Sequence, residues 1–168
     1  MKPLVSIIMG STSDLPIMET ACKLLDELQV PFEVNALSAH RTPDAVELFA
    51  RTAKERGIKV IIAGAGMAAA LPGAIAASTT LPVIGVPIKG MLDGLDAMLS
   101  IIQMPPSIPV ATVGVNGAQN AAILAVEMLA LSDETLAQRL ADYKAGLKAK
   151  IEKANKDLAE VKYTYKTN

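Results

Sequence analysis

A chain of 168 residues with a formal net charge of −1 has the length of one domain with a sizeable core, and it lacks the basic excess of a general nucleic-acid binder. It is 51% hydrophobic but only 3% aromatic, so its core is expected to be aliphatic and rich in alanine. One cysteine and one histidine exclude an internal disulfide, argue against a nitrogen–sulfur zinc site and point to a reducing cytoplasm.

The N-terminal apolar run is short and stops at Gly10, unlike a signal peptide. Two stretches carry no charge, Val60–Ile88 and Ala97–Val126. Prolines cut both, so neither reads as a membrane span. Strands of a parallel sheet covered on both faces account for them better.

In chain order, Val5–Met9 reads as a buried strand. Gly10–Asp14 breaks it. A helix follows, with Pro16 in its first turn and Ile17, Ala21, Leu24, Leu25 and Leu28 on one face. Ser13 or Asp14 is expected to cap it. Cys22 falls in this helix and reads as a small core residue. Phe32–Leu37 is the second strand and Ser38–Pro43 its outgoing loop. Thr42 and Pro43 read as the N-cap and first residue of a helix that runs to Arg56 and stops at Gly57. Val60–Ala63 is the third strand. A small-residue segment then leads to a helix around Gly73–Ser78. Val83–Val86 is the fourth strand, Gly94–Gln103 a helix, and Val110–Val113 the fifth strand. Asp93 and Asp96 read as caps of the Gly94 helix rather than metal ligands. Ala118–Leu131 is helical. Ser132 is expected to cap a last long helix reaching about Glu160.

Strands alternating with helices imply βαβ crossovers and a parallel sheet. The pattern predicts a three-layer α/β domain of flavodoxin-like type, with five parallel strands in the order 2-1-3-4-5 and a long C-terminal helix. Residues 1–131 are expected to form that domain, and 132–168 a helical arm of it. Leu136, Leu140, Tyr143, Leu147 and Ile151 recur at helical spacing along the arm. It outruns the surface of a compact five-stranded unit, so it is expected to pack on neighbouring subunits.

Ligands of open α/β sheets bind beyond the carboxyl ends of the strands, at the switch point. Three loops leave those ends. Gly10–Asp14 offers hydroxyls for phosphate, including Ser11 and Ser13, and a carboxylate, Asp14, for a ribose diol. Taken alone, plain capping of the first helix by Ser13 or Asp14 is the better reading of that loop. Ser38-Ala39-His40-Arg41 sets the only imidazole beside a permanent cation. Histidine exchanges protons near neutral pH, and arginine clamps phosphate through its fork of donors. The bland alternatives are a hydrogen-bonded structural histidine, and an Arg41 salt bridge to Asp44 or Glu47. Gly64 and Gly66 are expected to let backbone approach a flat ligand. The run Gly64-Ala-Gly66-Met-Ala-Ala69 matches a dinucleotide fingerprint. It follows the third strand, however, and no acid stands at the end of the next one, so nicotinamide binding is not expected.

Gly10-Ser-Thr-Ser-Asp14, Ser38-Ala-His-Arg-Thr-Pro43 and Ala63-Gly-Ala-Gly66 with Leu71-Pro-Gly73 together resemble the 5-(carboxyamino)imidazole ribonucleotide mutases of purine biosynthesis. The likeness extends through Pro82–Pro87, Gly94–Asp96, Ser100–Pro105 and Pro109–Thr112. It implies that a carboxylate moves from the exocyclic amine of an aminoimidazole ribonucleotide to ring carbon 4, by loss and recapture of carbon dioxide. His40 would shuttle the proton. Ser11, Ser13, Asp14, Ser38, Ala39, Arg41, Gly64, Gly66 and Leu71 would hold the ribonucleotide. No metal or organic cofactor is implied. The partners implied are the small-molecule substrate and seven further copies in a homo-octamer, with neither nucleic acid nor membrane. A related branch carboxylates aminoimidazole ribonucleotide directly, usually with lysine after the histidine; Arg41 and Gln103-Met-Pro105 resemble the mutase branch. One departure stands out. The family commonly has Gly-Gly-Ala-Ala-His-Leu-Pro-Gly, whereas here Met67 follows Gly66 and Ala70 takes the place of the second histidine.

Overall fold

The computed structural model describes residues Met1–Asn168. Five parallel strands, β1 (Val5–Met9), β2 (Phe32–Ala36), β3 (Val60–Ala65), β4 (Val83–Pro87) and β5 (Ala111–Thr112), lie in the order β2-β1-β3-β4-β5, as the sequence pattern predicts. The helices are α1 (Leu15–Glu27), α2 (Pro43–Arg56), α3 (Leu71–Ser78), α4 (Leu95–Ile102), α5 (Ala118–Ala130) and α6 (Glu134–Ala159).

Period-two alternation builds two cores from one sheet. Val5, Ile7, Met9, Ile62 and Ile84 face α1, α5 and the start of α6. Ile8, Ile61, Ala63 and Val83 face α2, α3 and α4. Both faces are covered, so β1, β3 and β4 are buried throughout. Alanines of α5 (Ala118, Ala121, Ala122 and Ala125) are fully buried and bring that helix close to the sheet. Ser6 is the one buried polar side chain; it donates to Glu33 at 2.9 Å, and Glu33 also receives Arg56 at 3.1 Å.

The elements depart from expectation at identifiable points. β3 runs two residues further, because Gly64 and Ala65 pair with Val86 and Pro87 of β4. β5 shrinks to two residues; Pro109 lacks a donor, though Val113 N–H still reaches the Gly85 carbonyl at 3.1 Å. Asp133, not Ser132, caps α6, accepting from Leu136 N–H at 3.0 Å. Ser132 instead bonds back to the Leu129 carbonyl. The capping roles expected of Asp93 and Asp96 fail. Gly94 occupies the N-cap of α4, Asp93 pairs with Lys89 at 2.9 Å, and Asp96 holds a buried, unpartnered Oδ1. Cys22 is only half-buried on α1, its thiol turned to the Met18 carbonyl. Burial nevertheless pushes that thiol up from its ordinary value.

α6 divides in two. Leu136 and Leu140 are buried against the domain, whereas Ile151 is 72% exposed and Leu147 and Leu158 are also open. No helix is long and apolar enough to cross a membrane.

Candidate active site

The loops after β1, β2 and β3 meet in a cleft of about 150 Å³ beyond the carboxyl ends of those strands. This is the switch point, where β1 feeds outward to β2 on one side and lies beside β3 on the other. Ser11, Ser13, Asp14, Ser38, Ala39, His40, Arg41, Gly66 and Leu71 all line it.

Gly64 does not. It lies within β3, and a Cβ there would meet the Met18 sulfur at 2.6 Å, so its bare backbone serves helix packing. Ala65 takes its place at the cleft. Gly64-Ala-Gly66 reads as a loop by residue type, which masks the last two residues of β3. Gly66 has room for a methyl group, with its nearest neighbour at 3.6 Å, so close packing does not require glycine there.

The first loop forms a short 3-10 turn, Thr12–Asp14, before α1. Ser11 Oγ accepts from Ser13 N–H at 3.3 Å. Asp14 occupies the N-cap of α1, but neither its carboxylate nor Ser13 caps that helix; the side-chain cap in this loop is Ser11, on the 3-10 turn. Desolvation raises the Asp14 carboxyl above its ordinary value, opposed by hydrogen bonds from Ser13 and Ser11. That acceptor is held at the cleft wall without a cation to neutralise it.

The second loop is closed by its own hydroxyls. Ser38 N–H donates to Thr42 Oγ1 at 2.9 Å, and Thr42 Oγ1 donates back to the Ser38 carbonyl at 3.0 Å. Thr42 is the N-cap of α2 by position, but its side chain is spent on the loop. Arg41 donates from Nε to Ser38 Oγ at 3.3 Å and from Nη2 to the Gly10 carbonyl at 3.1 Å. It forms no salt bridge; Glu47 pairs with Arg51 instead. The remaining guanidinium donors are free to take an anion. His40 is exposed and makes no hydrogen bond within the chain, so it is not a structural histidine fixed by its neighbours.

The third loop is strained and apolar. Ala68 and Ala69 adopt φ values of +54° and +30°, a region that costs a residue with a Cβ about 1–3 kcal/mol. Met67 is 79% exposed at the mouth, and Ala69 and Ala70 complete the wall. No three histidine, cysteine or carboxylate side chains converge as a metal-holding group.

Hydroxyls, a guanidinium, a carboxylate and an imidazole at the switch point of a flavodoxin-like sheet define an α/β protein with a polar cleft beyond its strand ends. Relatives sharpen that class. Residues 4–150 match the family described as AIR carboxylase. The N5-carboxyaminoimidazole ribonucleotide mutase of Pyrococcus abyssi is 57% identical over 147 residues, covering 87% of this chain and 84% of that protein. The mutase of Bacillus subtilis is 56% identical over 154 residues, covering 90% and 95%. The phosphoribosylaminoimidazole carboxylase of Saccharomyces cerevisiae is also 56% identical, over 143 residues that cover 84% of this chain but 25% of that longer protein. The crystal structure of Treponema denticola PurE superposes with a TM-score of 0.83 at 28% identity, covering 93% of this chain and 98% of that one. The chain belongs to the AIR carboxylase family.

Proposed function

We propose that this chain is a mutase of purine biosynthesis, moving a carboxylate from the exocyclic amine to ring carbon 4 of aminoimidazole ribonucleotide. The observation that carries the reading is the unpartnered imidazole of His40, the chain's only one, in a cleft it shares with Ser11, Asp14 and Arg41. Relatives called mutases match along nearly their whole length, which favours this reading over direct carboxylation.

The chemistry balances with one proton. Protonated His40 donates to the exocyclic nitrogen as its bond to the carboxylate carbon breaks, releasing carbon dioxide. Carbon 4 then attacks the carbon dioxide and forms the new carbon–carbon bond. Neutral His40 removes the carbon 4 proton, which restores the aromatic ring and recharges the imidazole. Arg41 and the hydroxyls of Ser11 and Ser13 hold the phosphate. Asp14 accepts from the ribose, and Ser38, Ala39, Gly66 and Leu71 shape the cleft. Binding energy at the remote phosphate positions the ring. Ala70 and Met67 make the third wall apolar, which hinders escape of carbon dioxide into water.

The reaction runs in an assembly, which we take to be a cytoplasmic homo-octamer. The cleft formed by one chain holds about 150 Å³, below the roughly 300–1,000 Å³ of ordinary small-molecule sites, which supports a neighbouring copy completing it. The uncovered half of α6 supplies a means of contact.

The deciding experiment supplies the carboxyamino ribonucleotide with a labelled carboxylate, without ATP. Conversion to the carbon 4 isomer is expected in the wild type, together with loss of at least a hundredfold in kcat for His40→Asn, which still folds and binds nucleotide. A strict requirement for aminoimidazole ribonucleotide plus added carbon dioxide would assign direct carboxylation instead. Full activity in His40→Asn would remove the proton shuttle.

A further inference from the structure

The wall of the cleft formed by Gly66–Ala70 is held from outside itself. Met67 and Ala68 form a turn, two residues of 66–69 sit at positive φ, and no backbone–backbone hydrogen bond of good geometry ties the segment down. Alanine gains nothing in that region, where glycine or asparagine would be at ease. At its far end the Ala70 carbonyl accepts from Ala74 N–H of α3 at 3.0 Å, and one side-chain hydrogen bond reaches residues 66–69. Ser100 on α4 donates from Oγ to the Ala68 carbonyl at 3.0 Å, across 32 positions of sequence.

Nothing in α4 itself calls for serine at position 100. The side chain is exposed, so it satisfies no buried group of the helix. Serine is a poorer helix former than alanine. A helical serine commonly bonds back to its own preceding turn, and Ser100 bonds outward to the loop instead. The next residue, Ile101, is fully buried against the sheet, which anchors this turn of α4 and fixes where the hydroxyl stands.

We infer that Ser100 is a positioning residue for the carboxyl transfer: its hydroxyl holds the strained loop Gly66–Ala70 as the cleft wall that shares the site with His40. Ser100 lines no part of the cleft and touches no reacting atom. It acts through Ala68. Met67, Ala69 and Ala70 depend on that anchor for their place against the substrate ring, whereas Ser11, Asp14 and Arg41 do not. Loss of the hydroxyl should therefore lower kcat and leave KM nearly unchanged. The inference rests on the mutase reading for its kinetic consequence but not for the clamp itself.

Ser100→Thr and Ser100→Val form the decisive pair, because they match in shape and differ in one hydroxyl. The exposed position accepts the added methyl in either. Ser100→Thr should stay within about threefold of wild-type kcat, while Ser100→Val falls about tenfold or more with KM within twofold. Both should melt together. Cleavage of the native chain within residues 67–70 by elastase, which cuts after small residues, should be about tenfold faster in Ser100→Val than in Ser100→Thr. Equal cleavage and equal kcat in the two variants would overturn the clamp. Faster cleavage with unchanged kcat would keep the clamp and overturn its role in the reaction. A wild-type enzyme inactive on the carboxyamino substrate would overturn the mutase reading, and the cleavage comparison would still decide whether the loop is held by Ser100.

Discussion

The Arg41 guanidinium donates to the Gly10 carbonyl at 3.1 Å and so ties the loop after β2 to the loop after β1. The same side chain reaches Ser38 Oγ through Nε at 3.3 Å. Arg41 is thus a brace between two walls of the cleft as well as a cation within it. Lysine has the charge but a single ammonium, which cannot span both acceptors and a phosphate in one geometry. Arg41→Lys is expected to reduce kcat/KM by about tenfold or more, chiefly through KM, since the phosphate clamp is what weakens. The brace is exposed, so the melting temperature should move little. Steady-state kinetics and a thermal melt on the same preparation check both statements.

Asp14 makes a prediction about pH. Its carboxyl titrates above the ordinary value of 3.8, because desolvation outweighs the Ser13 and Ser11 hydrogen bonds. A raised folded-state value means that the folded chain binds the proton more tightly than the unfolded chain does. The group's stabilising contribution is then complete below the unfolded value and is lost as pH rises through the folded one. At neutral pH the ionised, partly desolvated carboxylate is a cost. Asp14→Asn should therefore melt higher than wild type at pH 7, and the gap should narrow as pH falls towards 3.8. Catalysis should fall, since the ribose loses its ionised acceptor. A gap that widened on acidification would contradict the assigned direction.

The strand order and the three loops were legible because buried parallel strands read as short apolar runs, and because punctuating residues such as Gly10 and Pro43 mark where they end. Backbone pairing was harder to read. Gly64 carries no signal that separates a strand residue packed under Met18 from a loop residue facing a ligand. Capping chemistry was equally opaque. Thr42, Asp14 and Asp96 are all residue types that cap helices, and in each case the side chain is used elsewhere or left without a partner. The Ser100 anchor was invisible, since a hydrogen bond across 32 residues leaves no local pattern.

The far half of α6 gives a prediction about assembly. Leu147, Ile151 and Leu158 continue the stripe that Leu136 and Leu140 bury against the domain, yet they stay 43%, 72% and 60% exposed in their own chain. A stripe of that length stays exposed only at a cost in solubility, and a second copy is the covering surface we propose. Ile151→Glu with Leu158→Glu is expected to leave the fold of residues 1–131 intact and to lower the mass measured by light scattering. Activity should fall in parallel, because the cleft loses the copy that completes it. An unchanged mass would remove α6 from the interface.

Two glycines within strands predict a graded loss of stability. A Cβ on Gly64 would strike the sulfur of Met18 at 2.6 Å. A Cβ on Gly85 of β4 would collide with Ile101 of α4 and come within 3.1 Å of Val110. Methionine has three rotatable side-chain bonds and can turn aside, whereas isoleucine and valine are stiff at the first torsion. Gly64→Ala should cost about 1 kcal/mol and Gly85→Ala about 3 kcal/mol, within the range measured for overpacked cores. For a chain of this size those losses correspond to melting-temperature drops of roughly 3 °C and 10 °C. Gly85→Ala should also lower kcat beyond its effect on stability, because pushing Ile101 outward carries the neighbouring Ser100 away from Ala68. Equal melting temperatures for the two variants would mean that α4 yields as easily as the Met18 side chain, and that Ile101 is not the fixed point from which Ser100 reaches the loop.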